Sequence, residues 1–382
     1  MKCKRCNNSD KDKFYKWNGS WYCRNCIRFG KVEVNQEIIP PDLTSNQIDT
    51  SYVLDYELTN EQQELMEEID SRIHEKPMLI YAACGAGKTE TTMEQISNYI
   101  REGKKVGYAI SRRQVVLEIA ERLSHAFKEV KVTPVCAGYT TEVDGDIIVC
   151  TMHQLHRYHQ TFDLLIMDEI DAFPYEGNVI LQSLAQNACR GELLLLTATP
   201  NEQLKEQVRK NEINQVTLFK RHHGHPLVVP KILCMPKVVQ YLFLMYLCLK
   251  HKDKKWIIFL PTIAQVQQVF HAMKYLCKCS NITSKSEDKE QVMEDLRCGK
   301  IQVVFATTIL ERGITIAGVN VCIVGAEHQV YKESSLIQMV GRVGRKREYP
   351  SGYAYILASK KTKEMKQCVQ TIKWMNQDHS NV

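Results

Sequence analysis

The segment Met78-Leu79-Ile80-Tyr81-Ala82-Ala83-Cys84-Gly85-Ala86-Gly87-Lys88-Thr89 decides how the rest of the chain is read. A short apolar run feeds directly into a glycine-punctuated loop, and a helical stretch follows from Glu90 to Arg101. Strand, loop and helix N-terminus in that order make a phosphate cradle. Gly85 and Gly87 let backbone N–H groups curl around phosphate oxygens. The helix N-terminus adds positive potential. Lys88 can reach the β- and γ-phosphates, and Thr89 can place a hydroxyl on Mg²⁺. The loop from Ala82 through Ala83, Cys84, Gly85, Ala86, Gly87, Lys88 and Thr89 to Glu90 is therefore an expected nucleotide-binding segment. Ala82 stands where the strict pattern has glycine.

Working outward, Phe162 to Met167 is a second apolar run, and it ends in Asp168-Glu169-Ile170-Asp171. Carboxylates at the C-terminal end of a buried parallel strand belong to the same sheet edge as a P-loop. There Asp168 would hold Mg²⁺ and Glu169 would act as general base toward an attacking water. Further strand-like runs cover 105–110, 130–135, 146–150 and 193–196, the last leading into Thr197-Ala198-Thr199-Pro200. Upstream lies Leu58-Thr59-Asn60-Glu61-Gln62, where the Gln62 amide can both donate to and accept from an adenine edge. After a basic, His-rich crossover (220–225), runs at 256–260, 301–305, 319–325 and 353–358 resume the alternation, with no second P-loop. Alternating strands and helices argue for parallel α/β sheets. This second half carries Thr307-Thr308-Ile309-Leu310-Glu311-Arg312-Gly313 and Gln338-Met339-Val340-Gly341-Arg342-Val343-Gly344-Arg345.

The N-terminus has a different character. Cys3 and Cys6, then Cys23 and Cys26, form two C-x₂-C knuckles, a strong signature of a closed four-thiolate Zn²⁺ site. So short a segment cannot bury a sufficient core unaided, so metal binding would supply its folding energy. Phe14, Tyr15, Trp17 and Trp21 lie between the knuckles and suit either stacking on bases or packing around the metal. The formal charge of the 382-residue chain is +6, and its distribution is uneven. Residues 1–30 hold eight basic and two acidic residues, and residues 342–373 hold nine basic and two acidic. Basic ends flank an acidic middle, a pattern suited to a polyanion contacted by particular regions.

Composition excludes other classes. With 44 % hydrophobic and 25 % charged residues the chain is globular, not disordered. The longest apolar run, Val238 to Leu249, is too short for a bilayer, which needs about 20 residues, and reads as a buried helix. No signal-peptide pattern opens the sequence, and the 15 cysteines read as reduced cytosolic thiols.

Taken together, L-T-x-x-Q, A-x-x-G-x-G-K-T, D-E-I-D, T-A-T, T-T-x-x-x-R-G and Q-x-x-G-R-x-G-R, in this order over roughly 55–358, resemble the superfamily 2 helicases and translocases. With the four-cysteine module added, the whole chain resembles the ComFA family of late competence proteins. The resemblance implies two tandem RecA-like parallel-sheet lobes behind a small zinc-binding module. The expected divisions are a zinc module at 1–30, a linker at 31–54, lobe 1 at 55–225 and lobe 2 at 226–382.

The resemblance further implies an ATP-driven single-stranded DNA translocase that uses ATP, Mg²⁺ and Zn²⁺. It would work with a competence membrane channel and other competence proteins, at the cytoplasmic face of the membrane and without a transmembrane segment. The oligomeric state stays open, a homo-oligomer included. Arg342 and Arg345 would act as arginine fingers, with Gln338 and Gly313 near the nucleotide. Thr315 stands where some members have an aspartate. Arg112, Thr151, Thr262 and Thr308 follow strands and are the candidate phosphate contacts to DNA; Thr262 equally suits a helix N-cap. A repair or RNA helicase, or a zinc-dependent DNA-binding scaffold with weak ATPase activity, are the alternatives.

Overall fold

A computed structural model describes residues 1–34, 36–312 and 316–377. The chain divides into two compact units: Met1–Ala82 with Lys88–Leu218, and Ala83–Gly87 with Phe219–Val382.

The first unit opens with an antiparallel hairpin, β1 (Phe14–Trp17) and β2 (Ser20–Cys23), in the cysteine-rich module. Its turn is Asn18-Gly19 at φ 47° and 86°, the paired left-handed conformation that a two-residue hairpin favours. Residues 36–57 form no regular element, yet part of this stretch is tied to the lobe behind it. Asp144 Oδ2 accepts from Thr44 N at 3.0 Å, and Ala126 O accepts from Val53 N at 3.0 Å.

The lobe itself runs α1 (Asn60–Arg72), β3 (Met78–Ala82), α2 (Met93–Arg101), β4 (Val106–Ile110), α3 (Arg113–Ala126), β5 (Val132–Val135), β6 (Ile147–Thr151), β7 (Phe162–Asp168), α4 (Val179–Ala188), β8 (Cys189–Thr197), α5 (Glu202–Arg209) and β9 (Asn214–Leu218). Its seven strands are ordered β5-β6-β4-β7-β8-β3-β9, and every pairing is parallel. Strands β3 and β4 are buried along their whole length, as a sheet covered by helices on both faces requires. Helix α1 starts on a capping box: Gln62 N donates to Thr59 Oγ1 at 3.3 Å, and Thr59 N donates to Gln62 Oε1 at 2.9 Å.

The second unit contains β10 (Lys231–Cys234), α6 (Lys237–Lys250), β11 (Lys255–Phe259), α7 (Ile263–Met273), β12 (Cys279–Ile282), α8 (Lys289–Arg297), β13 (Val303–Ala306), β14 (Val319–Ile323), α9 (Glu333–Val340), β15 (Ala354–Ala358) and α10 (Lys363–Met375). Its six strands are ordered β10-β15-β14-β11-β13-β12, again all parallel. Both lobes are thus RecA-like parallel sheets, and the motif loops leave the C-terminal ends of strands, where such sheets bind ligands.

One expectation is corrected here. The apolar run from Val238 to Leu249 does form a helix, α6, but the helix is not buried all round. Leu244, Leu247 and Cys248 enter the core, whereas Val238, Leu242 and Tyr246 are exposed. A run that is apolar on every face carries no periodicity from which the inward face could be read. Among the described residues, no helix is long and apolar enough to cross a membrane.

Candidate functional site

In the first unit the nucleotide edge is built from strand ends. Strand β3 ends at Ala82 and Lys88 resumes the unit; between them Ala83–Gly87 groups with the second unit, with Gly85 at φ 80° and Gly87 at φ 90°, conformations that a side chain would strain. Strand β7 delivers Asp168, and β8 lies between β7 and β3 in the sheet. Thr89 begins a single 3₁₀ turn (Glu90–Thr92) that continues into α2.

Burial pushes the Asp168 carboxyl up to about 6; the Lys88 ammonium pulls it back, and the Glu169 carboxylate adds to the rise. Lys88 and Asp168 therefore lie within electrostatic reach of each other. Tyr108 Oη, itself fully buried, donates to Asp168 Oδ2 at 3.4 Å. Glu169 stands at φ 54°, a left-handed conformation that costs a non-glycine residue roughly 1–2 kcal/mol, and its N–H donates to Asp168 Oδ1 at 2.8 Å. Strain of this kind concentrates at working sites.

The Thr-Ala-Thr turn joins the same edge: Thr199 N donates to Thr197 Oγ1 at 3.0 Å, and Thr199 Oγ1 donates to Asp171 Oδ2. Gln62 is buried, its Oε1 held by the capping box. Glu90 faces a pair that the sequence did not reveal, accepting from Tyr56 Oη at 2.7 Å and lying 3.2 Å from Arg122 Nη1.

The second unit carries the arginine motif at the C-terminal end of α9. Gln338 and Arg342 are buried, and Arg345 Nε donates to Gly341 O at 3.0 Å. Arg312 is buried beside Glu311, while Gly313 and Thr315 lie outside the described residues. A functional residue that sequence reasoning missed stands beneath this turn. Arg221 is 1 % exposed and donates to three carbonyls of the turn: Gly341 at 2.9 Å, Val343 at 2.8 Å and Gly344 at 2.6 Å. His223 adds a 2.9 Å contact to Gly344 O.

Burial, and then the neighbouring Arg345 charge, bring Arg221 down to about 10. The guanidinium fixes the backbone from which Arg342 and Arg345 project. The only sequence sign was a basic crossover. Arg221→Ala removes a donor that Gly341 O shares with Arg345 and Gly344 O with His223, and takes from Val343 O a bond worth about 1–3 kcal/mol at most. Steady-state phosphate release by that variant is expected to fall about ten-fold or more, with Arg221→Lys intermediate.

The four cysteines converge. Cys3, Cys6, Cys23 and Cys26 are all buried, with their sulfurs within 4.8 Å of one another. The Cys3–Cys26 and Cys6–Cys23 sulfur pairs are 3.8 and 3.6 Å apart. Zn–S bonds of ~2.3 Å in a tetrahedron give sulfur edges of about 3.8 Å. The donor set and its spacing therefore fit Zn²⁺, and Arg5 donates to Cys26 Sγ at 3.3 Å from two of its nitrogens.

The module docks on its own unit. Asn187 Nδ2 at the end of α4 donates to Lys4 O and Arg5 O, both at 2.9 Å. The Phe29 ring lies 5.1 Å from His156 and 6.3 Å from His153, in the turn directly after Thr151.

The four candidate DNA contacts all sit at or just beyond strand ends. Thr151 closes β6, Arg112 precedes α3, and Thr308 opens a 3₁₀ turn after β13. Thr262 is an N-cap, its hydroxyl accepting from Gln265 N at 3.3 Å.

Comparison with known proteins places these features. Residues 55–202 match the family described as "Type III restriction enzyme, res subunit", and residues 237–347 match "Helicase conserved C-terminal domain". A solved structure, S. cerevisiae Dbp5 bound to RNA and ADP BeF3, shares the fold at a TM-score of 0.61 with 16 % identity, over 83 % of this chain and 91 % of that one. The chain is thus an ATP-hydrolysing, helicase-like enzyme. "Competence protein ComFA" of Bacillus subtilis (strain 168) is 30 % identical over 98 % of this chain and 86 % of its own length. The protein of that name from Streptococcus pneumoniae (strain ATCC BAA-255 / R6) is 31 % identical over 98 % and 90 %. Identity at this level along nearly the full length means that the chain belongs to the ComFA family of competence proteins.

Proposed function

We propose that this protein is a DNA-dependent ATPase that moves along single-stranded DNA and draws incoming DNA into the cytoplasm during natural competence. The observation that carries the reading is the set of groups on one sheet edge of the first unit: Lys88, Thr89, Asp168 and Glu169, backed by Tyr108 and Asp171. That set carries the kinds of group that phosphoryl transfer to water uses. Mg²⁺ at Thr89 and Asp168 would neutralise charge on the phosphates. Glu169 orients and deprotonates the attacking water, and Lys88 stabilises the charge that builds on the phosphoryl oxygens. Gln62 holds the base, Ala82 to Glu90 hold the phosphates, and Gln338, Arg342 and Arg345 complete the site when the lobes close on ATP.

Repeated closure would step Arg112 and Thr151 against Thr262 and Thr308 along the phosphate backbone. Such contacts are sequence-independent and weaken with salt. Both lobes are close to minimal length, without an inserted strand-separating element among the described residues, which favours translocation over unwinding. Membership of the family supports work with other competence proteins, and we place that work at the inner membrane face beside a competence channel. The deciding measurement is the ATPase rate with single-stranded DNA, duplex DNA, RNA and no polymer. Stimulation by single-stranded DNA is expected. Stimulation by RNA alone would indicate an RNA helicase, and stimulation by no polymer would indicate a scaffold.

A further inference from the structure

The zinc module separates its aromatic residues into two groups. In the β1–β2 hairpin, Phe14 pairs with Cys23, Tyr15 with Tyr22, Lys16 with Trp21 and Trp17 with Ser20. Side chains alternate across a strand, so Phe14 and Cys23 share one face while Tyr15, Trp17 and Tyr22 share the other. Phe14 is buried against the cysteine cluster. Tyr15 and Trp17 are 47 % and 53 % exposed, so they are not part of the packing around the metal.

Their rings are 6.4 Å apart and within 24° of parallel. The two exposed rings lie side by side on one face of the hairpin, as a stacking surface requires. Cations border this face. The Arg24 guanidinium lies 5.7 Å from the Tyr15 centroid, and the Lys31 ammonium 3.9 Å from that of Tyr22. From Lys13 to Lys31 the chain has five basic residues and no acidic one. An exposed aromatic face held rigid by a tight turn and edged with cations has the chemistry of a single-strand stacking platform. The module is also fixed beside the turn after Thr151, through Phe29 on His153 and His156.

We propose that Tyr15 and Trp17 form a base-stacking platform on the zinc module that holds single-stranded DNA through its unpaired bases, with Arg24 and Lys31 at its phosphates. The inference deepens the single-stranded DNA reading above and rests on it.

The test uses the full-length, zinc-loaded protein and two labelled strands of equal length, an oligothymidylate and an abasic strand with the same phosphates. Fluorescence anisotropy at fixed ionic strength gives both affinities. The wild type is expected to prefer the strand with bases by about ten-fold or more. The Tyr15→Ala/Trp17→Ala double variant should lose most of that preference with zinc content and melting temperature intact, and Trp17→Phe should keep it. Lys31→Gln should weaken both strands alike and flatten the salt dependence.

A double variant that keeps the full preference for bases overturns the platform while leaving the translocase reading in place. A wild type that binds neither strand overturns both. Anionic phosphatidylglycerol vesicles are the competing occupant: if the double variant loses vesicle binding and keeps the base preference, the face is a membrane contact and the proposal fails.

Discussion

Lys88→Ala will reduce ATP hydrolysis at least about a hundred-fold, equivalent to roughly 3 kcal/mol of transition-state stabilisation. Two effects act together. The ammonium that meets the developing phosphoryl charge is lost. The same ammonium is what opposes the burial that raises Asp168. Without it the burial of the Asp168 carboxyl is left less opposed. The fold should survive, because Lys88 follows the loop and is not one of the buried strand residues. Binding of single-stranded DNA, read by anisotropy, should persist. Phosphate release equal to the wild-type rate in the presence of single-stranded DNA would remove Lys88 from the site.

Zinc removal has the second large expected effect. Structural Zn²⁺ contributes about 10–16 kcal/mol in isolated finger peptides. Here the module's own apolar core is little more than the four cysteines with Phe14 and Val34. Chelation, or Cys23→Ser with its zinc content measured in parallel, should unfold the hairpin and expose residues 1–34 to protease. The lobe that begins at α1 has its own core and should stay resistant. An unchanged cleavage pattern in fully stripped protein would show that the metal is not what holds the module together.

The parts of the fold legible in the sequence are those in which burial leaves no choice. Strands β3 and β7 are apolar almost throughout because helices cover both faces of the sheet, and each runs straight into a loop with recognisable chemistry. The strands that escaped are short or at sheet edges: β9 reads Asn-Gln-Val-Thr-Leu, β10 only Lys-Ile-Leu-Cys, and neither feeds a motif. The hairpin was announced by Asn18-Gly19, a turn signal outweighed by the stronger cysteine spacing around it. Arg221 was invisible for a different reason. Its partners are backbone carbonyls about 120 residues away, and a main-chain acceptor leaves no mark on residue identity. The same holds for Asn187, whose amide meets the carbonyls of Lys4 and Arg5. The outward face of α6 was illegible because its sequence is apolar on all sides.

That amide contact also bears on the order in which the molecule is made. Asn187 is synthesised 182 residues after Arg5, the residue whose carbonyl it clasps. At about 5–20 residues per second, the finger leaves the ribosome roughly 10–40 s before its seat on the lobe exists. During that interval neither α4 nor the turn after Thr151 can support it. A finger that takes up an ion during that interval does so on its own, before the lobe offers any seat for it.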